Sequence, residues 1–183
     1  DDYYNRDNLS SGWFKNQKNV DKYTVTKNIH SAYAEATYQF TSRWIVNLGL
    51  KYDYVDINVD YNVNRGGSEG SNTIRKDYFL PSLNLKYNLN EKHSLRLGAS
   101  KTYTLPQAKE ISPYRYVGVN FNSQGNPNLK PSDNYNFDLK WDFNPSPTEL
   151  VSLTAFYKHI KEPISRIEVA SAGGYLSYEN ISD

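Results

Sequence analysis

The side chains able to do chemistry in this chain are few, and their spacing does not suit it. His30, His93 and His159 are scattered over a strand start, a turn and a strand end, and no His-x-x-His or His-Glu-x-x-His spacing occurs, so they read as no metal site. Asp53, Asp56 and Asp60 are calcium-loop residue types, but the spacing misses the EF-hand pattern and the stretch is a strand. A solvated acidic face close to a loop fits them better. Gly66-Gly67 does not join a strand to a helix, so it reads as flexible loop and not as a phosphate cradle. There is no Ser/His/Asp arrangement and no paired-carboxylate motif, and cysteine is absent. The expectation is a protein that is not an enzyme, with no cofactor and no metal. Recognition chemistry remains. Tyr114, Arg115, Tyr116 and Phe121 lie in the longest connection, Leu105 to Ser132. Tyr and Arg dominate recognition surfaces because they bring rigid area and directed hydrogen bonds. These four are the ligand-contact candidates, against the competing reading that Tyr114 and Tyr116 only hold the loop to a rim.

The elements positioning them are strands. In N-Y-N-F-D-L-K-W-D-F, Tyr135, Phe137, Leu139, Trp141 and Phe143 share one parity, and Asn134, Asn136, Asp138, Lys140 and Asp142 share the other. Successive strand side chains point to opposite faces, so this strand has one apolar and one polar face. Earlier segments repeat the pattern. Asn28–Phe40 aligns Ala32, Ala34, Ala36, Tyr38 and Phe40. From Trp44, one face carries Val46, Leu48, Leu50, Tyr52 and Tyr54. After Val55 the apolar parity passes to Ile57, Val59, Tyr61 and Val63, which predicts a β-bulge, and R-G-G-S-E-G-S-N reads as a Gly/Ser loop. A third strand, about Asp77 to Leu89, sets Phe79, Leu83, Leu85 and Tyr87 against Ser82, Asn84, Lys86 and Asn88. A fourth, Ser94 to Thr104, sets Leu95, Leu97, Ala99 and Tyr103 against Arg96, Gly98 and Ser100. Lys101 breaks its apolar parity and is expected to snorkel to headgroups. Pro106 to Ile111 reads as a turn or two of helix. The opening stretch is the fifth strand, and Glu149 to His159 the sixth, with Val151, Leu153, Ala155 and Tyr157 aligned. Tyr175 to Ile181 predicts an incoming seventh.

Connections read as short after Phe40, Leu89 and Phe143 and long after Val63, Thr104 and Ile160. In an antiparallel meander this collects short turns at one end and long loops at the other, as in outer-membrane barrels. Aromatic residues gather in two bands near the strand ends, as interfacial girdles do. Composition agrees. Only 38% of residues are hydrophobic and 15% aromatic, with 17 Tyr, which suits a polar interior and an exterior needing amphipathic rings. No apolar run is long enough for a membrane helix. The near-neutral charge, +1, gives no reason to expect a nucleic-acid partner.

A resemblance sharpens this reading. G-N-P-N-L-K-P-S-D-N-Y-N-F-D-L-K-W, Gly125 to Trp141, resembles the barrel of TonB-dependent outer-membrane receptors, where a Gly-Asn-Pro-x-Leu-Lys-Pro loop feeds an amphipathic strand. Ser100 to Gln107, Thr154 to Ile164, Ser31 to Tyr38, Leu48 to Asp53 and Tyr178 to Ile181 resemble further barrel segments in the family's order. The resemblance looks closest to the receptors of Bacteroidota. It implies an all-β, antiparallel up-and-down transmembrane barrel in the bacterial outer membrane. The six or seven strands read here are part of a wall of about 22. Residues 1–27 read as extracellular loop or strand end and residues 28–183 as partial barrel. No signal peptide, plug domain, TonB box or terminal aromatic strand is present in the sequence, which reads as the middle of something longer.

The function so implied is uptake of a siderophore, glycan, peptide or cofactor. The implied partners are outer-membrane lipid, the remainder of the barrel, the plug and the TonB complex, with a surface lipoprotein as a further candidate. On this reading Phe137, Leu139, Trp141, Leu48, Leu50, Leu83, Leu85, Leu95 and Leu97 face lipid, while Asn136, Asp138, Lys140, Arg96 and Lys86 face the lumen. The Gly125–Pro131 loop is expected to be architectural. Two rival classes stay open: a non-transporting barrel subunit of a surface complex, and a soluble β-rich binding module whose aromatic face packs on a second sheet.

Overall fold

The computed structural model describes residues 4–8, 12–15, 22–63, 68–113, 115–117, 121–170 and 174–182. Period-two alternation is realised as six long strands in one antiparallel sheet. In chain order these are β3 (Lys22–Gln39), β4 (Trp44–Val63), β5 (Ser68–Asn88), β6 (His93–Thr104), β9 (Ser132–Phe143) and β10 (Val151–Lys161). Each pairs with its sequence neighbour in the wall, giving the order β10-β9-β6-β5-β4-β3. A small hairpin, β1 (Tyr4–Asn8) with β2 (Gly12–Lys15), precedes them. The remaining elements are α1 (Ala108–Ile111), β7 (Arg115–Val117), β8 (Asn122–Gln124), β11 (Ile164–Val169) and β12 (Tyr175–Asn180). They form a cap over one end of one face. The face beneath is called the capped face and the other the open face.

The open face is uncovered. Leu48, Leu50, Phe137 and Leu139 are each about half exposed, and Leu153 is 67% exposed. No second sheet packs on it among the described residues, as a soluble sandwich would require. Aromatic residues border it at both ends. Trp44 packs on Tyr87 at 4.2 Å, and His93 stacks on Phe143 at 4.4 Å, near the short turns. Tyr52 meets Phe79 at 5.2 Å, and Phe137 meets Tyr157 at 6.3 Å, towards the other end.

The structure corrects the predicted bulge. The β3–β4 and β4–β5 registers run unbroken through Val55, from Tyr38↔Val46 to Lys22↔Asn62 and from Trp44↔Tyr87 to Val63↔Ser68. The chain does not change face; the faces change character. Up to Tyr54 the open face of β4 is apolar, and beyond it this face carries Asp56, Asn58 and Asp60. On the capped face Lys51 and Asp53 give way to Val55, Ile57 and Val59, each at most 1% exposed. The partner strands turn over on the same line. On β5, Pro81 and Phe79 are followed on the open face by Asp77, Arg75 and Thr73. On β3, Ala36, Ala34 and Ala32 are followed by His30, Asn28 and Thr26. A bulge in one strand would not invert its neighbours; a change of surroundings at a common height would.

Two further expectations change. The Gly/Ser segment is not a long loop, because β5 already begins at Ser68 and pairs to the tip of β4. There Tyr61 lies opposite Gly70, and a Cβ on Gly70 would stand 2.5 Å from the Tyr61 hydroxyl, so glycine makes room for the ring to cover the ladder. The seventh wall strand does not form from Tyr175 to Ile181. β12 pairs antiparallel with β11 and parallel with β8, in a separate sheet ordered β11-β12-β8-β7. The first strand also starts earlier than read, at Lys22.

β5 and β6 part beyond Ser82↔Ser100, next to Pro81, which brings no N–H to a ladder. This opening redirects two residues. Tyr103, expected in the outer aromatic band, reaches through to stack on Tyr78 at 4.0 Å and donates its hydroxyl to Asp53 at 2.8 Å. Lys101 does not reach for headgroups here. Its ammonium lies 3.6 Å from Asp133 and 5.6 Å from the Tyr135 ring centroid.

Candidate functional site

Val55, Ile57, Val59 and Tyr78 need cover on the capped face, and the connection between β6 and β9 supplies it. Ile111 from α1 and Leu129 from the G-N-P-N-L-K-P loop complete this core, with Leu105, Ile164 and Tyr178 packed against it. Burying Ile111 and Leu129 stabilises the cap by about 1.5–3 kcal/mol each. The helix is short but well closed at its start. Gln107 and Glu110 form a capping box, with the Gln107 N–H donating to Glu110 Oε2 at 2.8 Å.

The loop Gly125–Pro131 is the joint of the cap. The Asn126 N–H donates to Glu110 O at 2.6 Å and its side-chain amide donates to Tyr178 O at 2.9 Å. The Asn126 Oδ1 accepts the Asn128 N–H at 2.9 Å, a local turn of the Asx kind. Asn72 from β5 donates to Pro127 O. The architectural reading of this motif therefore has a structure behind it: α1, β5 and β12 are all hydrogen-bonded to one loop.

Asn180 does comparable work, a role that its place in the barrel-like segment Tyr178 to Ile181 does not disclose. Its amide donates to Lys130 O at 2.8 Å and to Glu162 O at 2.9 Å, while its Oδ1 accepts the Lys130 N–H at 2.8 Å. Glu162 has φ 53°, an unfavourable setting for a residue with a Cβ. Its carbonyl is held there by Asn180 and by the Ser132 hydroxyl at 2.8 Å. Asn180→Ala is expected to lower stability by about 1–2 kcal/mol and to raise hydrogen exchange at Lys130 and Ile181 first. An exchange profile equal to wild type would remove Asn180 from the joint.

The predicted ligand contacts distribute unevenly. Tyr114 lies outside the described residues. Arg115 and Tyr116 sit in β7 opposite Gln124 and Ser123. Phe121 is described and half exposed, with the Arg166 guanidinium 5.6 Å from its ring centroid, a separation within cation–π range. Arg166 comes from β11, on the other long connection, and no local pattern pointed to it. The two connections thus share one four-stranded sheet, and its surface holds the described aromatic–cation pair.

Down the capped face the polar residues form rungs across the strands. Lys86, Arg96 and Lys140 are directly paired neighbours on β5, β6 and β9. Asn84, Gly98 and Asp138 form the next rung, and Ser82, Ser100 and Asn136 the next. The named apolar set Leu48, Leu50, Leu83, Leu85, Leu95, Leu97, Phe137, Leu139 and Trp141 lies on the opposite, open face by the same registers. Asp142, 4% exposed, accepts from Lys140 at 3.1 Å and Ser152 and lies 3.6 Å from Arg96. Asn47 donates to Glu35 at 2.6 Å and Thr37 at 2.9 Å. The three aspartates considered as a calcium loop do not converge. Asp53 is 1% exposed on the capped face, bonded to Lys51 at 2.9 Å and to Tyr103, whereas Asp56 and Asp60 are on the open face. Asp53 is therefore no part of a solvated acidic surface.

Comparison with known proteins agrees with this geometry. The chain is 28% identical over 170 residues to a probable TonB-dependent siderophore receptor, PirA, of Acinetobacter baumannii, covering 87% of this chain and 20% of that protein. It is 31% identical over 91 residues to an iron-regulated outer membrane virulence protein of Vibrio cholerae, 49% of this chain and 14% of that one. A variant of the ferric enterobactin receptor of Pseudomonas aeruginosa, solved with enterobactin, superposes with a TM-score of 0.52 at 18% identity, over 86% of this chain and 32% of the receptor. The siderophore receptor PirA of Pseudomonas aeruginosa gives 0.50 at 17%, over 87% and 35%. The chain thus spans a fifth or less of these curated relatives and about a third of the solved receptors. The family model for the TonB-dependent receptor-like β-barrel matches residues 1–183, so the chain belongs to that family and forms part of a barrel in the bacterial outer membrane.

Proposed function

We propose that the whole protein takes up an iron–siderophore or comparable scarce nutrient through this barrel, driven by the TonB complex and gated by a plug inside the wall. The observation carrying the membrane half of this reading is the common line at His30, Tyr54 and Asp77, where both faces invert. Eleven residues, Trp44 to Tyr54, lie on the apolar side of it, which matches the ~9–11 tilted residues of a spanning strand. On this reading Phe137, Leu139, Trp141, Leu48, Leu50, Leu83, Leu85, Leu95 and Leu97 contact lipid.

The lumen then receives Asn136, Asp138, Lys140, Arg96 and Lys86. The cap and residues 1–27 lie on the extracellular side, and ligand meets the cap near Phe121, with Tyr114, Arg115 and Tyr116 close in sequence. Iron as the cargo is supported by the relatives, which are named for siderophores or iron regulation. Kinship with Bacteroidota receptors rests on the motifs alone, since the relatives given above come from Vibrio and Acinetobacter. The test is growth of a strain lacking the full-length receptor on single ferric siderophores under iron limitation. Loss of growth on one siderophore, restored by wild type and not by a TonB-uncoupled receptor, is the expected result. Unimpaired growth and iron uptake across a broad siderophore panel would overturn the iron reading.

A further inference from the structure

β5 and β6 stop pairing at Ser82↔Ser100, yet both strands run on, β5 back to Ser68 and β6 on to Thr104. The parting starts beside Pro81, which pairs with Leu50 inside the apolar band. Backbone that loses its ladder at that depth must be buried in protein or meet water, because lipid offers it no partner. Side chains crowd this wedge and leave it short of donors. Asp133 reaches Lys76 at 3.5 Å and Lys101 at 3.6 Å, ion pairs too long to be hydrogen bonds. Tyr103 passes through the wedge to Tyr78 and Asp53. Tyr78 and Asn134 are 2% and 3% exposed. The Asn134 amide donates to Thr104 Oγ1 at 2.9 Å, but its carbonyl oxygen has no such bond. The Tyr78 hydroxyl, Asp133 Oδ1 and Asn134 Oδ1 are all buried with no hydrogen-bond partner among the described residues. Burying such groups bare is costly, and their gathering at one break in the ladder points to a shared partner.

We propose that the wedge between β5 and β6 is a water-binding site. Ordered waters donate to Asp133 Oδ1 and Asn134 Oδ1, bridge to the Tyr78 hydroxyl and take the place of ladder partners. Charge selects water over an ion. Lys51, Lys76 and Lys101 outnumber Asp53 and Asp133, and each is ion-paired within this set, so a metal cation would meet net positive charge. An anion would have to displace Asp133 from both of its lysines. The carboxylate and amide oxygens only accept, and water is a neutral donor small enough to reach them. The parting supplies room that a paired ladder, with strands about 4.8 Å apart, does not. β6 leads from here into α1, so the waters sit where the cap is rooted in the wall. The argument from depth rests on the membrane reading of the open face; the argument from the bare buried atoms does not.

The first test is the sign of Tyr78→Phe in the full-length receptor. The change keeps the stack on Tyr103 and the contact with Lys76 and removes only the hydroxyl. If water bonds that hydroxyl, a bond is lost, and the equilibrium constant for unfolding from phospholipid vesicles should rise about fivefold. If the hydroxyl is bare, its removal relieves a penalty, so a constant that falls or stays the same would overturn the site. The second test locates the water. A millisecond X-ray pulse makes hydroxyl radicals wherever water lies, and these mark the residues that touch it. After correction for intrinsic reactivity, Tyr78 should be hydroxylated about tenfold faster than Ile57 and Leu129, which are equally buried but apolar. A Tyr78 rate as slow as theirs would overturn the proposal. Failure of the membrane reading looks different: nitroxides along β4 would report water from Val46 onward, while the sign of Tyr78→Phe and the marking of Tyr78 would stand.

Discussion

Leu48→Arg is expected to destabilise the full-length receptor by about 2–4 kcal/mol, whereas Asp60→Arg on the same face of the same strand should cost close to nothing. Leu48 lies midway between Trp44 and Tyr54, is 55% exposed on the open face, and pairs with Ala36 and Leu83. A guanidinium there would sit at the middle of the apolar band with nothing polar to pair with. Asp60 lies six residues beyond Tyr54 on the polar side of the inversion and is exposed. The charge change is larger at Asp60, so a simple electrostatic penalty would predict the opposite order. Equilibrium unfolding from phospholipid vesicles reads both. Equal costs at the two sites would mean that the band does not meet lipid.

Gly125→Ala is the second large effect, expected at about 3 kcal/mol. A Cβ on Gly125 would stand 2.1 Å from Ser112 O, 2.7 Å from Lys109 O and 2.8 Å from Glu110 O. All three are backbone atoms at the end of α1, so no rotamer change relieves the clash. The loop must lift, taking Asn126 from Glu110 O and Tyr178 O and drawing Leu129 out of the core. Limited proteolysis between residues 105 and 131 should become fast while the wall strands stay protected. Wild-type protease resistance would show that the joint tolerates the methyl group and that the close packing is not essential.

The wall was legible because its periodicity is local. One residue in two decides its face, and Tyr135 to Phe143 states the rule without help from the rest of the chain. The inversion beyond Val55 was legible as an event but not as a cause. A bulge and a change of surroundings produce the same switch in one strand. They differ only in the partner, and residues 68–76 of β5 are polar and Gly/Ser-rich, so their pairing with β4 could not be read locally. The cap was beyond reach for a related reason. β8 and β12 pair in parallel across some 50 residues of chain, and Asn180 meets Lys130 at the same separation. Nothing in the composition of Y-L-S-Y-E-N distinguishes a wall strand from a cap strand. Arg166 joins Phe121 through that same long-range pairing.

The most direct measurement is a spin-label accessibility scan along the open face of β4. Residues 1–183 contribute no cysteine; in a full-length receptor with any cysteine elsewhere replaced by serine, single cysteines at Val46, Leu48, Leu50, Tyr52, Tyr54, Asp56, Asn58 and Asp60 can each carry a nitroxide after reconstitution in lipid. Relaxation by oxygen, which concentrates in the bilayer, should dominate from Val46 to Leu50 and fall across Tyr52 and Tyr54. Relaxation by a water-soluble nickel chelate should dominate from Asp56 to Asp60. A profile that stays lipid-like through Asp60, or water-like from Val46 onward, would contradict the placement of the membrane boundary at Tyr54.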